Sequence, residues 1–230
     1  MVQIKKRHGV SAKITITYLD ESLAIIDKPA GLLAVSLDHG TARNAVGLLK
    51  AALVAQKQAD RVWIVQRLDR DTSGLMMVAR TETAWRRLTE DWYTMVPERE
   101  YIAIVHGQPK QAAGQVHNWL KQTKTLRVYA IDHQSPDAEE AITNYQTIRN
   151  NGRFTWLKIA IKTGRPNQIR VNLAGLGCPI VGDGKYGRPD GHSRLALHAN
   201  QLGFTHPQSN RFLRFTSPAP AFFTTIAGSA

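Results

Sequence analysis

Short runs in which apolar and polar residues alternate dominate the chain. ITITYL (14–19) and LAIIDK (23–28), separated by the turn LDES, predict two strands, and residues 31–36 offer a further extended piece. VWIVQRL (62–68) and LMMVAR (75–80) predict strands on either side of a polar loop. REYIAIVHG, GQVHNWL, LRVYAI, EAITNYQTI and RFTWLKIAIK are rich in β-branched and aromatic residues and predict a succession of strands. SRLALHANQLGF (193–204) predicts one more, passing into a turn. Helical spacing is rarer. Ala45, Leu48, Leu49, Ala52 and Leu53 share one face of a helix for which Thr41 is a cap candidate, and Glu82 to Met95 predicts a second. PNQIRVNLAGL (166–176) predicts a short amphipathic helix bracketed by Pro166 and Gly177, with Ile169, Leu173 and Leu176 as its stripe. A last short helix is expected after Pro218. The elements predict one α+β domain over residues 13–230, built on an extended, mostly antiparallel mixed sheet with flanking helices, after a flexible basic leader at 1–12.

At 230 residues, 43% apolar and 21% charged, the chain has an ordinary globular composition. A domain of this size buries roughly 70% of the surface its unfolded form exposes, so neither disulfide nor metal is needed as a staple. The single cysteine, Cys178, excludes an internal disulfide and the usual Cys-rich zinc site. No apolar stretch approaches the ~20 residues that span a bilayer, and the start lacks a signal-peptide core, so a cytoplasmic protein without membrane contact is expected. The unusual feature is a net charge of +12. The excess is uneven: residues 14–100 nearly cancel, whereas 146–172 carry Arg149, Arg153, Lys158, Lys162, Arg165 and Arg170 with no acid. A generally basic surface and a face for a polyanion such as nucleic acid both fit this pattern.

Gly182, Gly184 and Gly187 match G-x-G-x-x-G, but RPDG follows where a helix should open, so tight turns are expected and not a dinucleotide site. The histidines lack the i, i+4 spacing of a helical zinc site, and no phosphate loop or serine elbow is present; no metal and no cofactor are expected. QRLDRDTSG (66–74) stands apart, because it sets Arg67, Asp69, Arg70 and Asp71 in a loop between two predicted strands. Taken alone it also fits a plain turn, with Asp71, Thr72 and Ser73 bonding local backbone and Gly74 supplying a permissive conformation.

RLDRDTSGLMMVAR resembles the active-site motif of the RluA-type RNA pseudouridine synthases. IIDKPAGLL, EREYIAIVHG, EAITNYQTI, TGRPNQIRVNLAGLGCPIVGDGKYG and RLALHANQL with the following TSPAP resemble that family's other blocks, together covering about Tyr18 to Pro220. The resemblance implies isomerisation of uridine in structured RNA, ribosomal or transfer, to its C-glycoside, without metal or organic cofactor, in a cleft on a central mixed sheet. Asp69 matches the essential aspartate, acting at the ribose either as nucleophile at the anomeric carbon or as base at the 2′ position. Arg170 matches the basic residue that pairs with it, and Tyr101 the tyrosine stacked under the target base. Arg67 matches a residue that helps extrude the uridine. Arg165 and Gln168 fall in the same RNA-binding block, and Leu195 or a neighbour in RLALHA is expected to wall the uracil pocket.

Gln66, Asn167 and Asn172 stand where the family commonly has histidines, which leaves the assigned charges intact but bears on substrate choice, since these neighbours are candidates to line the RNA groove. The separate N-terminal RNA-binding domain of many relatives is not expected, and neither is an obligate protein partner; a monomer is the expectation. The competing class is a non-catalytic RNA-binding or RNA-chaperone protein on the same scaffold. If about six cations contact single-stranded phosphates, log affinity for RNA falls with log salt at a slope near −4, roughly a few hundredfold between ~50 and ~200 mM. Filter binding across that range checks this, and a flat response contradicts a basic RNA face.

Overall fold

The computed structural model describes residues 13–36 and 43–227; the leader at 1–12 and Thr41 lie outside them. Eleven strands form a single sheet: β1 (Thr15–Leu19), β2 (Leu23–Lys28), β3 (Trp63–Ile64), β4 (Ser73–Ala79), β5 (Glu98–His106), β6 (Ala113–Gln122), β7 (Val128–Ile131), β8 (Ala138–Asn150), β9 (Phe154–Ile161), β10 (Leu197–Thr205) and β11 (Phe212–Thr216). Their order is β1-β2-β4-β10-β5-β9-β8-β6-β7, with β3 on β4 and β11 on β10. Every pair of these strands is antiparallel except β10 with β4. The helices are α1 (Ala45–Ala55), α2 (Glu82–Glu90), α3 (Trp92–Met95), α4 (Gln168–Gly175) and α5 (Ala221–Ala227).

The centre of the sheet is covered on both faces, which is why β2 and β4 read as nearly continuous apolar runs. Ala24, Ile26, Met76 and Val78 pack on one side with Leu49 and Leu53 of α1. Leu23, Ile25, Leu75 and Met77 pack on the other with Leu88 of α2, Met95 of α3 and Phe204.

Several local expectations are revised. Helix α1 is capped by Asn44, whose side chain accepts from the Gly47 N–H. Residues 31–36 contribute an isolated bridge at Leu33 and no strand. VWIVQRL yields only the two-residue β3, because the chain then turns away from the sheet toward the 66–72 loop. The helix expected over 82–95 is divided at Asp91 into α2 and α3. Helix α4 is not amphipathic: Gln168, Ile169, Arg170, Val171, Asn172 and Leu173 are all buried, and Leu176 is its exposed neighbour.

The parallel contact between β4 and β10 joins the two antiparallel halves of the sheet through the pairs His198–Ser73 and Ala199–Gly74. Gly74 has φ +113, and a Cβ there collides with the carbonyl of Ala199. Backbone strain and overpacking therefore coincide at this residue. Gly74→Ala is expected to destabilise the fold by about 3 kcal/mol, read from the urea unfolding midpoint.

Candidate active site

Across the parallel junction, Tyr101 on β5 pairs with Ala199 on β10, which in turn pairs with Gly74 on β4. The loop bearing Asp69 leads directly into β4, so register alone brings Asp69 and Tyr101 to one place. Helix α4 completes the site by following β9, the strand next to β5. The result is a cleft of about 320 Å³ lined by Gln66, Arg67, Asp69, Tyr101, Arg165, Asn167, Gln168 and Arg170, with Leu197 on its apolar wall. A second groove meets the first at Arg67, Asp69 and Arg165.

The Asp69 loop is held from below. Lys28 is fully buried at the end of β2, and its Nζ donates to the carbonyls of Pro29 (3.1 Å), Leu32 (2.8 Å) and Arg70 (2.9 Å). Gly31 N–H donates to the same Arg70 carbonyl, and Thr72 N–H to that of Asp69. Burial pushes the Lys28 ammonium down to about 8, against the pull of Asp71 and Asp69. From the other side, Ser73 receives a bond from Arg194 (2.6 Å) and contacts His198 Nδ1 (2.9 Å), whose Nε2 reaches Ser217.

Burial raises the Asp69 carboxyl above the ordinary aspartate range, while Arg170, the Asn167 backbone N–H, Lys185 and Lys28 restrain that rise. Tyr101 is buried, which pushes its phenol up to about 12 and keeps it protonated. Arg170 is not in ion-pair contact with Asp69. Its Nε and Nη2 grip Asp183 at 2.8 and 2.7 Å, its Nη1 donates to Asn167 Oδ1 (2.9 Å), and its guanidinium lies 5.1 Å from the Tyr186 ring centroid. Burial opposes charge on both partners, yet the bidentate bond raises Arg170 and holds Asp183 below the carboxylate range. Arg170 thus acts on Asp69 through space, as a fixed charge whose orientation is set by Asp183.

The residues expected at the site divide accordingly. Asp69, Tyr101, Arg170, Arg67 and Arg165 are brought together. Gln168 reaches the cleft, but its amide is spent on Thr163, the Arg165 N–H, the Ile142 carbonyl and Thr143, so it anchors α4 and has nothing left for RNA. Leu195 and Leu197 are equally buried in the core, but it is Leu197, a neighbour in the same RLALHA run, that lines the cleft. Gln66 and Asn167 line the cleft, whereas Asn172 is buried and bonded to Thr143 and Asn118, which removes it from any groove. Half of the cations in the acid-free run of sequence are paired in space: Lys158 with Glu100, Arg165 with Glu139 and Arg170 with Asp183. Arg67 is exposed and makes no ion pair among the described residues.

Lys28, Arg99 and Asp183 were not singled out by sequence reasoning. Asp183 sits in the glycine-rich turn that mimics a dinucleotide loop; its Oδ1 accepts from the Lys185 and Tyr186 N–H groups. Gly182, at φ +76, lies so close to the Arg194 carbonyl that no Cβ fits. Gly182 thus belongs to a tight turn that carries Asp183. Among the described residues no cluster of three or more His, Cys, Asp or Glu is placed to hold a metal ion, and no helix is long and apolar enough to cross a membrane.

Asp183→Asn breaks a buried bidentate pair and is expected to cost about 3–5 kcal/mol near neutral pH, measured by urea unfolding. Because the Asp183 carboxyl is depressed in the folded state, its contribution is fully present above the unfolded value near ~3.9 and is lost as pH falls through the folded value. The difference between the two proteins should therefore shrink only below about pH 4.

The sequence model of the RNA pseudouridylate synthase family matches residues 22–175. An uncharacterized RNA pseudouridine synthase of Synechocystis is 35% identical over 91% of this chain and 67% of its own length. Ribosomal large subunit pseudouridine synthase D of Nitrosomonas europaea is 36% identical over 90% of this chain and 62% of its own. The chain thus spans about two thirds of the length of such relatives. In fold, human RNA pseudouridylate synthase domain containing 4 superposes with a TM-score of 0.73 at 24% identity, covering 91% of this chain and 90% of that one. Human RNA pseudouridylate synthase domain containing 1 gives 0.72 at 20% identity, covering 96% and 89%. With the family model spanning well over half of the chain, it belongs to the RNA pseudouridylate synthase family, a family of RNA-modifying enzymes.

Proposed function

We propose that this chain converts uridine in a structured RNA, a ribosomal or transfer RNA stem-loop, to pseudouridine, with Asp69 as the carboxylate that acts at the ribose. The observation that carries the reading is the convergence of Asp69, Tyr101 and Arg170 on one cleft, with an unpaired Arg67 at its mouth. In this reading the uridine leaves its stack past Arg67, a step costing a few kcal/mol in a paired stem. Its base rests on the Tyr101 ring against Leu197. The bond from C1′ to N1 breaks, the uracil turns, and C1′ bonds to C5; the proton lost from C5 is matched by one gained at N1. Asp69 serves either as nucleophile at C1′ or as base at the 2′ carbon, and both roles need it ionised in a place that disfavours charge. Arg170, held by Asp183, meets that need without forming a contact that would block the carboxylate. The likeness to relatives named for the ribosomal large subunit supports ribosomal RNA as the first substrate to try.

Asp69→Asn is expected to bind RNA as the parent does while losing pseudouridine formation by about 10³-fold or more, measured by mass spectrometry of digested RNA; retained turnover overturns the reading. Mapping pseudouridines in total RNA from cells with and without the protein identifies the uridine. Because burial raises the Asp69 carboxyl, activity should fall off on the acid side at a higher pH than an exposed aspartate dictates. Lys185→Gln withdraws a cation that favours the carboxylate and should move that limb further toward neutrality, as read from kcat/KM against pH.

A further inference from the structure

One cation in the cleft has neither a carboxylate partner nor a place in the chemistry above. Arg99 stands two residues before Tyr101 on β5, and the alternation of the strand puts both on the same buried face, about 7 Å apart. It lines the same cleft as Asp69 and is 6% exposed. Its Nη2 donates to the Lys162 carbonyl at 2.6 Å, but its Nε is buried with no acceptor, and no carboxylate lies within ion-pair distance of it among the described residues. Of the other cations around the site, Arg170 is satisfied by Asp183 and Lys28 by three carbonyls; Arg194, bonded to Ser73, shares an open buried Nε but does not line the cleft. The guanidinium lies instead against two rings of α3, 5.1 Å from the centroid of Tyr93 and 5.8 Å from that of Trp92. Cation–π attraction holds it in place but supplies neither a counter-charge nor a hydrogen-bond acceptor. A buried donor and charge left open is costly unless a ligand completes it. Beside it Tyr93 is 51% exposed, an aromatic face at the lip of the cleft.

We propose that Arg99, Trp92 and Tyr93 form a subsite for the nucleotide adjoining the target uridine, with Arg99 receiving its phosphate and Tyr93 stacking on its base. The spacing suits this, since the step from Tyr101 to Arg99 is on the scale of one nucleotide. Base stacking on an exposed aromatic is sequence-tolerant, so the subsite grips the strand and fixes which residue enters the cleft without demanding one letter. The inference rests on the reading that the cleft takes a uridine of RNA.

The test uses synthetic stem-loops carrying the mapped uridine, intact, with an abasic residue at each flanking position in turn, or with a neutral methylphosphonate at each flanking phosphate. Tyr93→Ala is expected to raise KM for the intact RNA about tenfold. For the parent protein one abasic position should give a similar rise, and combining the two should give little more than either alone. Arg99→Met should likewise erase the effect of one methylphosphonate and no other. The subsite is overturned if the flanking scans are flat with the parent protein, or if the effects of Tyr93→Ala and the abasic residue multiply. Should Arg99→Met fail to fold by circular dichroism, the scans on the parent protein and Tyr93→Ala decide the matter. Absence of turnover by the parent protein on the intact RNA overturns the underlying reading and the subsite together, whereas turnover with multiplying effects removes the subsite alone.

Discussion

The close approach of β4 to β10 at Gly74 and Ala199 is the constraint on which the site depends. It is the one parallel contact between strands in the described sheet, and it joins a half built from β1, β2, β3 and β4 to a half built from β5 to β11. Asp69 belongs to the first half, being fixed by Lys28 at the end of β2 and by the start of β4. Tyr101 and Arg170 belong to the second. Neither half alone holds a site, so geometry at the seam decides whether carboxylate and tyrosine face one another. A side chain at position 74 would widen that seam, and the polar bonds from Ser73 to His198 and Arg194 tie the same point sideways.

The electrostatics follow from the seam being buried. A carboxylate placed there tends to take up a proton, because burial disfavours its charge. A direct salt bridge to Arg170 would counter this, but it would also occupy the oxygens that the proposed reaction needs free. The fold separates the two tasks. Asp183 takes the bidentate face of Arg170, and the remaining positive field favours the Asp69 anion without contact. Asn167 links the pair: its backbone N–H donates to Asp69 and its side chain accepts from Arg170. It does so from a left-handed conformation, φ 54, which asparagine tolerates better than most residues.

Much of this was legible in the sequence, for reasons that can be named. The strands follow alternation and β-branched content, and the ordered blocks pointed to Asp69, Tyr101 and Arg170. What could not be read was partnership at long range. Asp183 lies in a turn whose glycines imitate another motif, and only tertiary structure places it against Arg170, 13 residues away. Gln168 and Asn172 read as groove residues because they sit in a family block, yet α4 is buried on all sides and their amides are consumed internally. Lys28 looked like an ordinary strand end. Arg99 did carry a readable signal, since period-two alternation in EREY sets it on the face of Tyr101.

The same limit applies to charge. A run free of acids in sequence suggested an unbroken basic face from Arg149 to Arg170. The sheet brings acids to it from β5, β8 and the 182–187 turn, while Arg149 and Arg153 rest 4.9 Å from the ring centroids of Trp156 and Phe154. Net charge therefore counts cations that fold energetics has already used. What remains for a polyanion is better judged by which cations lack a carboxylate in space, and of the four arginines that line the cleft Arg165 and Arg170 are paired while Arg67 at its mouth and Arg99 within it are not. Both line the cleft that holds Asp69, one exposed and one buried, so the proposed reading finds its open positive charge at the carboxylate itself and not along the basic run.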